Sequence, residues 1–357
     1  MNDGTPADAL EPWQVSDTEY PTAGTIGEQL RFLLRYAILA PSGHNTQPWL
    51  FKIVGEAVEL YADRARALPV VDPDDRELII SCGATLATLQ IAIRHFGHPA
   101  VLELAPDPGN HDLLARITVS DREPSRKPHR DDRLHEDELF AAITQRHSNR
   151  GAFRNRDIPG WLTQRLMADA ASQGVWLCLV RGEDRAAVSD LVAEGDRIQM
   201  ADKHFRRELA AWVHPNRSRT RDGMRGYGFG SADLVSYAGP LVIRSFDLGK
   251  GQAAKDHELA QHSPLLAVVG TAGDDQHAWL SCGRALQRAL LLARAAGVWS
   301  SHLNQPIEVE ELRPKLAQLV GRPGEYPQLL LRFGFGPPVK AQPRRTVDEV
   351  IVDGPSL

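Results

Sequence analysis

The sequence predicts an α+β fold made of two tandem α+β units, with mixed or antiparallel sheets around long central helices. Three observations carry this. A 21-residue segment recurs once without gaps, as "IISCGATLATLQIAIRHFGHP" from Ile79 and "WLSCGRALQRALLLARAAGVW" from Trp279. Six positions are identical: Ser81/Ser281, Cys82/Cys282, Gly83/Gly283, Leu86/Leu286, Arg94/Arg294 and Gly97/Gly297, the last being a helix-terminating glycine held in register. Upstream, "QPWLFKIV" matches "GVWLCLV" and pairs Trp49 with Trp176. The strand pair is offset by 127 residues and the helix pair by 200, so the later unit carries about 73 more residues between them.

In chain order, residues 1–24 are rich in Pro, Gly, Asp and Thr and are expected to form an extended arm. After Thr25, Leu30, Leu33, Leu34 and Ala37 recur at i, i+3, i+4 and i+7, one face of a helix. "WLFKIV" and "AVELYAD" read as a hairpin around Gly55-Glu56. "ATLATLQIAIRHFG" is apolar nearly all round, so its helix should be deeply buried, and "LLARITVS" is a further strand. The first unit is therefore placed at 25–122 and a linker at 123–140, within the charged, Pro-bearing "DREPSRKPHRDDRLHEDE". The second unit, 141–357, holds an insertion over about 200–238, in which Phe205, Leu209, Trp212 and Val213 share a helical spacing suited to a lid.

Composition excludes several classes. The 357 residues are 42% hydrophobic and 24% charged, as in an ordinary globular chain, and can bury a large core. A formal charge of −5 leaves no basic excess for a nucleic acid. Cys82, Cys178 and Cys282 lie far apart, which indicates neither a disulfide framework nor a zinc site; Cys82 and Cys282 should be small core residues. The opening residues lack the basic and apolar regions of a signal peptide, and no apolar run was expected to span a membrane. A cytoplasmic protein with no membrane partner is expected. His95/His98 and His257/His262 lack metal-site spacing, and "GYGFGS" (226–231) lacks the strand and helix context of a nucleotide loop.

Two stretches carry chemistry. "APSGHNTQPW" sets small and polar residues between a buried helix and a buried strand. It is either an ordinary connecting loop or a cradle for a flat polar ligand: Pro41 and Gly43 permit close backbone approach, and Asn45 and Gln47 each offer donor and acceptor. "QRHSNRGAF" brings Arg146, His147, Ser148 and Arg150 within five residues. Alternating Arg and Ser can converge on one phosphate through charge-assisted hydrogen bonds, or can be a solvated helix end. Arg344 and Arg345 form a second basic pair near the C-terminus.

Together these residues resemble the FMN-dependent nitroreductase superfamily, in its Acg-type subgroup of fused, lid-bearing chains. "APSGHNTQPW" resembles the family's flavin-ring loop, "RHSNRGAF" its phosphate entry and "PRRTVDEVI" its closing basic motif. The resemblance spans roughly residues 25–355 and implies a nitroreductase-like fold in which the tandem units mimic the family homodimer. In ordinary members the Arg-Ser motif precedes the Pro-Ser-Asn-Gln loop; here it follows by about a hundred residues. A duplication accounts for the order: each unit keeps half of the sites it once shared, and one complete site results. The resemblance implies that Arg146, Ser148 and Arg150, helped by Arg344 or Arg345, hold the FMN phosphate, with His147 at a motif position. Pro41, Ser42, Gly43, Asn45 and Gln47 would line the ring and ribityl side. It further implies NAD(P)H as reductant, a nitroaromatic, quinone or other small electrophile as acceptor, no protein acid or base at the reaction centre, and a monomer with an internal pseudo-dimer. A non-catalytic, lid-closed FMN-sequestering protein is the second reading, and an FMN-using dehalogenase or flavin-degrading enzyme the third.

Overall fold

The computed structural model describes residues 7–119, 130–229 and 233–352, without the side chains of 130–135 and 233–235. The first six residues of the expected arm, residues 123–129 of the expected linker, and Gly230 and Ser231 lie outside that description.

Helix α1 (Ile26–Ala37) opens on a capping box: the Thr25 hydroxyl accepts from Glu28 N, and the Glu28 carboxylate accepts from Thr25 N at 2.7 Å. Strands β1 (Trp49–Val54) and β2 (Ala57–Ala62) form the expected hairpin. Helix α2 (Arg76–His95) and strands β3 (Ala100–Leu104) and β4 (Leu113–Val119) complete an antiparallel sheet ordered β1-β2-β4-β3.

The second half begins with α3 (Arg130–Ala142), α4 (Gly160–Ser172) and β5 (Trp176–Val180). A long excursion follows: α5 (Asp184–Ala201), α6 (Lys203–Trp212), the short paired strands β6 (Val213–His214) and β7 (Met224–Arg225), α7 (Asp233–Ser245) and α8 (Gly249–His262). The chain then forms β8 (Leu265–Thr271), α9 (Gln276–Ala295), β9 (Trp299–His302), α10 (Gln305–Glu308), α11 (Arg313–Leu319) and β10 (Tyr326–Gly334), in a sheet ordered β5-β8-β10-β9. By rank both sheets run first, second, fourth, third, each with a 20-residue helix between its second and third strands. The halves differ chiefly between β5 and β8, residues 181–264, so α5 and α8 belong to the excess beside the expected 200–238.

Helices α2 and α9 pack against each other at the paired glycines. A methyl group on Gly83 would run into the carbonyl oxygen of Leu280, and one on Gly283 into that of Ile80. The contact is reciprocal, because Ile80 and Leu280 are themselves paired by the repeat. Gln287 Nε2 donates to Thr88 Oγ1 across the same interface at 2.9 Å. Cys82 and Cys282 are fully buried there. Over an 18-residue stretch of mean hydropathy 1.3, α2 has the length and composition of a membrane span, contrary to expectation; 83% of that stretch is buried inside the protein, as in a core helix.

Three local outcomes differ from the sequence reading. Residues 7–19 of the arm form three short 3₁₀ turns, anchored where Trp13 Nε1 donates to Gln342 O at 2.8 Å. The expected linker continues into α3, whose Leu139 and Phe140 are buried in the main core. Beyond β10 the chain returns to the first sheet: Val350 O accepts from Phe51 N at 2.8 Å and Val352 N donates to Phe51 O at 2.9 Å, covering the edge of β1.

Candidate functional site

The loop between α1 and β1 is a tight, strained turn. His44, Asn45 and Gln47 have φ of 47°, 58° and 54°, left-handed values that non-glycine residues adopt at a cost. Internal bonds hold it: Gln47 N donates to Ser42 Oγ at 2.9 Å and Thr46 N to Gly43 O at 2.9 Å. Gly43 N donates to Ser81 Oγ of α2 at 3.3 Å, so the loop rests on the central helix. The segment 146–150 runs along β9, where Asn149 N donates to Ser300 O at 2.9 Å.

These two segments meet around two adjoining cavities. The smaller, about 40 Å³, is walled by Arg146, His147, Ser148, Arg150, Asn45 and Arg344, with Trp13 and Lys340 beside them. The larger, about 460 Å³, begins at Pro41, Ser42, Gly43, His44, Ser148 and Arg150 and extends beneath α6 to α8. Pro41, Ser42, Ser148, Arg150 and Met224 border both.

The small cavity is strongly cationic. Arg146 and Arg344 are 3% and 4% exposed, yet neither they nor Arg150 pairs with a carboxylate among the described residues. Arg146 Nη2 reaches only the carbonyl of Leu39, at 3.2 Å, and its Nε has no partner. Arg344 bonds to Leu39 O, Ala40 O and Asn45 Oδ1, and its Nε is likewise unpartnered. The carbonyls just past the C-terminus of α1 thus receive both guanidiniums, as the negative end of a helix favours. Among the described residues Arg150 donates a hydrogen bond to the Met224 sulfur, at 3.5 Å, and lies 5.0 Å over the Phe229 ring, with the Asp256 charge acting on it. Burial pulls Arg146 down to about 10 and lowers Arg150 and Arg344 too. Burial and then the neighbouring arginines hold His147 down to about 3, while burial and Arg150 hold His44 down to about 4. Both imidazoles are neutral, and the pocket lacks an anion to match its arginines.

The lining of the large cavity is also acidic in part. Glu77, Asp196, Asp256 and Glu308 line it. Burial and then the Asp256 charge push Asp196 up to about 7, and burial with Glu77 raises Glu308 well above the usual carboxylate range. Over this cavity lies the segment with helical spacing: Phe205, Leu209 and Val213 line it, while Trp212 packs with Leu68 and Val71.

Of the sequence-derived residues, the structure brings Arg146, His147, Ser148, Arg150, Pro41, Ser42, Gly43, Asn45 and Arg344 to the cavities. Gln47 and Arg345 stand apart from both. The Gln47 side chain is wholly buried, donating to Arg221 O at 2.8 Å and accepting from Arg345 N at 2.8 Å. Arg345 turns to Asp63 at 3.4 Å and to the carbonyls of Gln47 and Glu349. Asn45 lines the small cavity but gives its Nδ2 to Gly223 O at 2.8 Å and Pro343 O at 3.1 Å. In this loop the two amides therefore fasten the excursion and the C-terminal tail, because the positive-φ turn directs them there. Sequence reasoning missed Trp13 and Lys340, from the arm and the tail, and the carboxylates Glu77, Asp196, Asp256 and Glu308, which come from α2, α5, α8 and α10 with no motif to mark them.

No family model matches the chain. "Putative NAD(P)H nitroreductase Rv3131" of Mycobacterium tuberculosis (strain H37Rv) is 31% identical over 340 residues, covering 94% of this chain and 93% of the relative. "Putative NAD(P)H nitroreductase acg" of the same strain is 27% identical over 331 residues, covering 90% and 94%. Among solved structures, the FMN- and NADPH-dependent nitroreductase NfnB from Sphigopyxis sp. strain HMH overlaps 61% of this chain and 99% of its own at 20% identity, with a TM-score of 0.41, a likeness too slight to build on. With 31% identity running through nearly all of both chains, this protein belongs to the nitroreductase superfamily.

Proposed function

We propose that this chain binds FMN across the two adjoining cavities and uses it to pass electrons from NAD(P)H to a nitroaromatic, quinone or other small electrophile. One observation carries the reading: Arg146, Arg150 and Arg344 border a small pocket and form no ion pair with a carboxylate among the described residues, and that pocket adjoins a cavity walled by the 41–44 turn. Unpaired buried guanidiniums are costly, and a phosphate relieves that cost. A phosphorylated flavin fits this donor set. Arg146, Ser148, Arg150 and Arg344 would hold the phosphate, and Pro41, Ser42 and Gly43 would border the ring, where small side chains leave room. When bound, FMN supplies the hydride chemistry. The chain binds, orients and excludes water; the neutral His44 and His147 add no competing charge.

The matching strand orders and the reciprocal Gly83–Gly283 contact support reading the chain as a fused pair of units with one site between them. NAD(P)H nitroreductase names among its relatives support the same activity.

A second reading, FMN sequestration, is favoured by how the excursion is fastened over the large cavity. Asn45 and Gln47 hold the carbonyls of Gly223 and Arg221, and Arg66 pairs with Asp222 at 2.8 Å. A lid kept shut by these bonds leaves no face for a nicotinamide. Anaerobic addition of NADPH or NADH to the purified yellow protein separates the two. Bleaching of the flavin absorbance is expected for the oxidoreductase; a persistent oxidised spectrum overturns it in favour of sequestration.

A further inference from the structure

We infer that the acidic part of the large cavity, where Asp196 and Asp256 flank Gln305, receives the positive group of a small organic cation of the alkylammonium type. The inference rests on the functional reading above, since that cation would be the electron acceptor sharing the cavity with the flavin.

Asp196 (α5) and Asp256 (α8) are 4% and 7% exposed and both line the cavity. Gln305 Nε2, from α10, donates to Asp196 Oδ1 at 3.1 Å and to Asp256 Oδ2 at 3.0 Å. Gln252 Nε2 adds a bond to Asp256 Oδ2 at 2.7 Å. The remaining oxygen of Asp196, Oδ2, is buried with no hydrogen-bond partner, and so is Oε1 of Gln305. Neither carboxylate forms an ion pair among the described residues. The charges of Arg150, Arg332 and Lys255 act on Asp256, and that of Arg197 on Asp196, but none forms an ion pair with either carboxylate: Arg150 bonds to the Met224 sulfur, Arg332 gives its terminal nitrogens to Gly151 O and Asn149 O, and Arg197 and Lys255 are exposed.

Two carboxylates whose hydrogen bonds come from neutral amides alone, one with an orphaned oxygen, stand in a cavity that also holds the 41–44 turn. Buried charges of one sign need the opposite sign from a ligand or must give up their charge. Burial already raises both carboxyls, and the Asp256 charge adds to the shift at Asp196, so a bound ammonium would relieve that repulsion. An ammonium also has the donors that Asp196 Oδ2 and Gln305 Oε1 lack. A metal ion suits the place poorly, because no group of three or more His, Cys, Asp or Glu among the described residues is arranged to hold one. Gln252 and Lys255 are exposed yet also line the cavity, so this part lies near its mouth. Both α5 and α8 belong to the excursion, and the preference is therefore set by the part of the second unit that the first lacks.

The test is calorimetric titration of the oxidised, flavin-loaded protein at about pH 7.5 with 4-nitrobenzylamine, 4-nitrobenzyl alcohol and 4-nitrobenzoate. The amine is expected to bind roughly ten-fold or more tighter than the alcohol, as for a hydrogen bond to a charged group, and the benzoate weakest. Asp196→Asn and Asp256→Asn, made singly and together, should erase the preference while the visible flavin spectrum is unchanged. Equal binding of amine and alcohol by the wild-type protein overturns the inference without any variant, as does a preference that survives in whichever variant folds. A protein that carries no flavin and takes up none sinks the functional reading instead, so the two failures are distinct.

Discussion

Arg146 and Asp196 face opposite problems of charge, and each yields its own expectation. The Arg146 guanidinium is buried with one carbonyl as its hydrogen-bond partner, a costly placement that the proposed phosphate would relieve. The Asp196 carboxyl is raised to about 7 from an ordinary 3.8. Because the folded value lies above the unfolded one, its contribution to stability is complete below the unfolded value and is lost as pH rises through the folded one. The thermal midpoint of flavin-free protein should therefore fall between about pH 4 and pH 7, and fall less in Asp196→Asn; equal slopes in the two proteins would refute the assignment. At this scale the sequence disclosed the Arg-Ser-Arg spacing and the Pro-Ser-Gly turn, because both are local. It could not disclose that Gln47 turns into protein, since that depends on a φ of 54° and on Arg221, far along the chain.

The two long helices and the excursion over the cavity behave as distinct elements. Gly83 and Gly283 let α2 and α9 touch backbone to backbone, and Gly83→Ala should cost about 1–3 kcal/mol or more as the helices are forced apart. Chemical denaturation measures this, and an unchanged midpoint would contradict the close contact. The excursion is pinned by Asp222, whose carboxylate a hydrogen bond from His214 and the pairing with Arg66 hold well below the usual range. Asp222→Ala should speed trypsin cleavage within 215–225, which holds four arginines; cleavage at the wild-type rate would argue against the latch. The sequence repeat located the long helices because one glycine pair and its flanking residues survive in both copies. The limits of the excursion were less legible: α5 and α8 each bury residues as other helices of the protein do, so only the strand order marks them as interrupting the second sheet between β5 and β8.

For the molecule as a whole, two units of like topology share one set of arginines and one Pro-Ser-Gly turn. The chain should therefore run as a monomer in light scattering and release one FMN per chain on denaturation; two flavins per chain would contradict the single shared site. Charge also organises the molecule: a cationic pocket adjoins a cavity partly lined by carboxylates, and both are built from segments far apart in sequence. The cationic half was legible because a motif marks it, whereas the acidic half emerged only when α5, α8 and α10 were brought together. The proposed function turns on the buried arginines holding the phosphate of a flavin. Its most direct test is to titrate apoprotein with FMN and with riboflavin, in wild type and in Arg146→Ala. The account predicts that wild type binds FMN far more tightly than riboflavin, and that Arg146→Ala loses about 1.5–3 kcal/mol for FMN while leaving riboflavin unchanged. Equal affinity for FMN and riboflavin in the wild-type protein would contradict it.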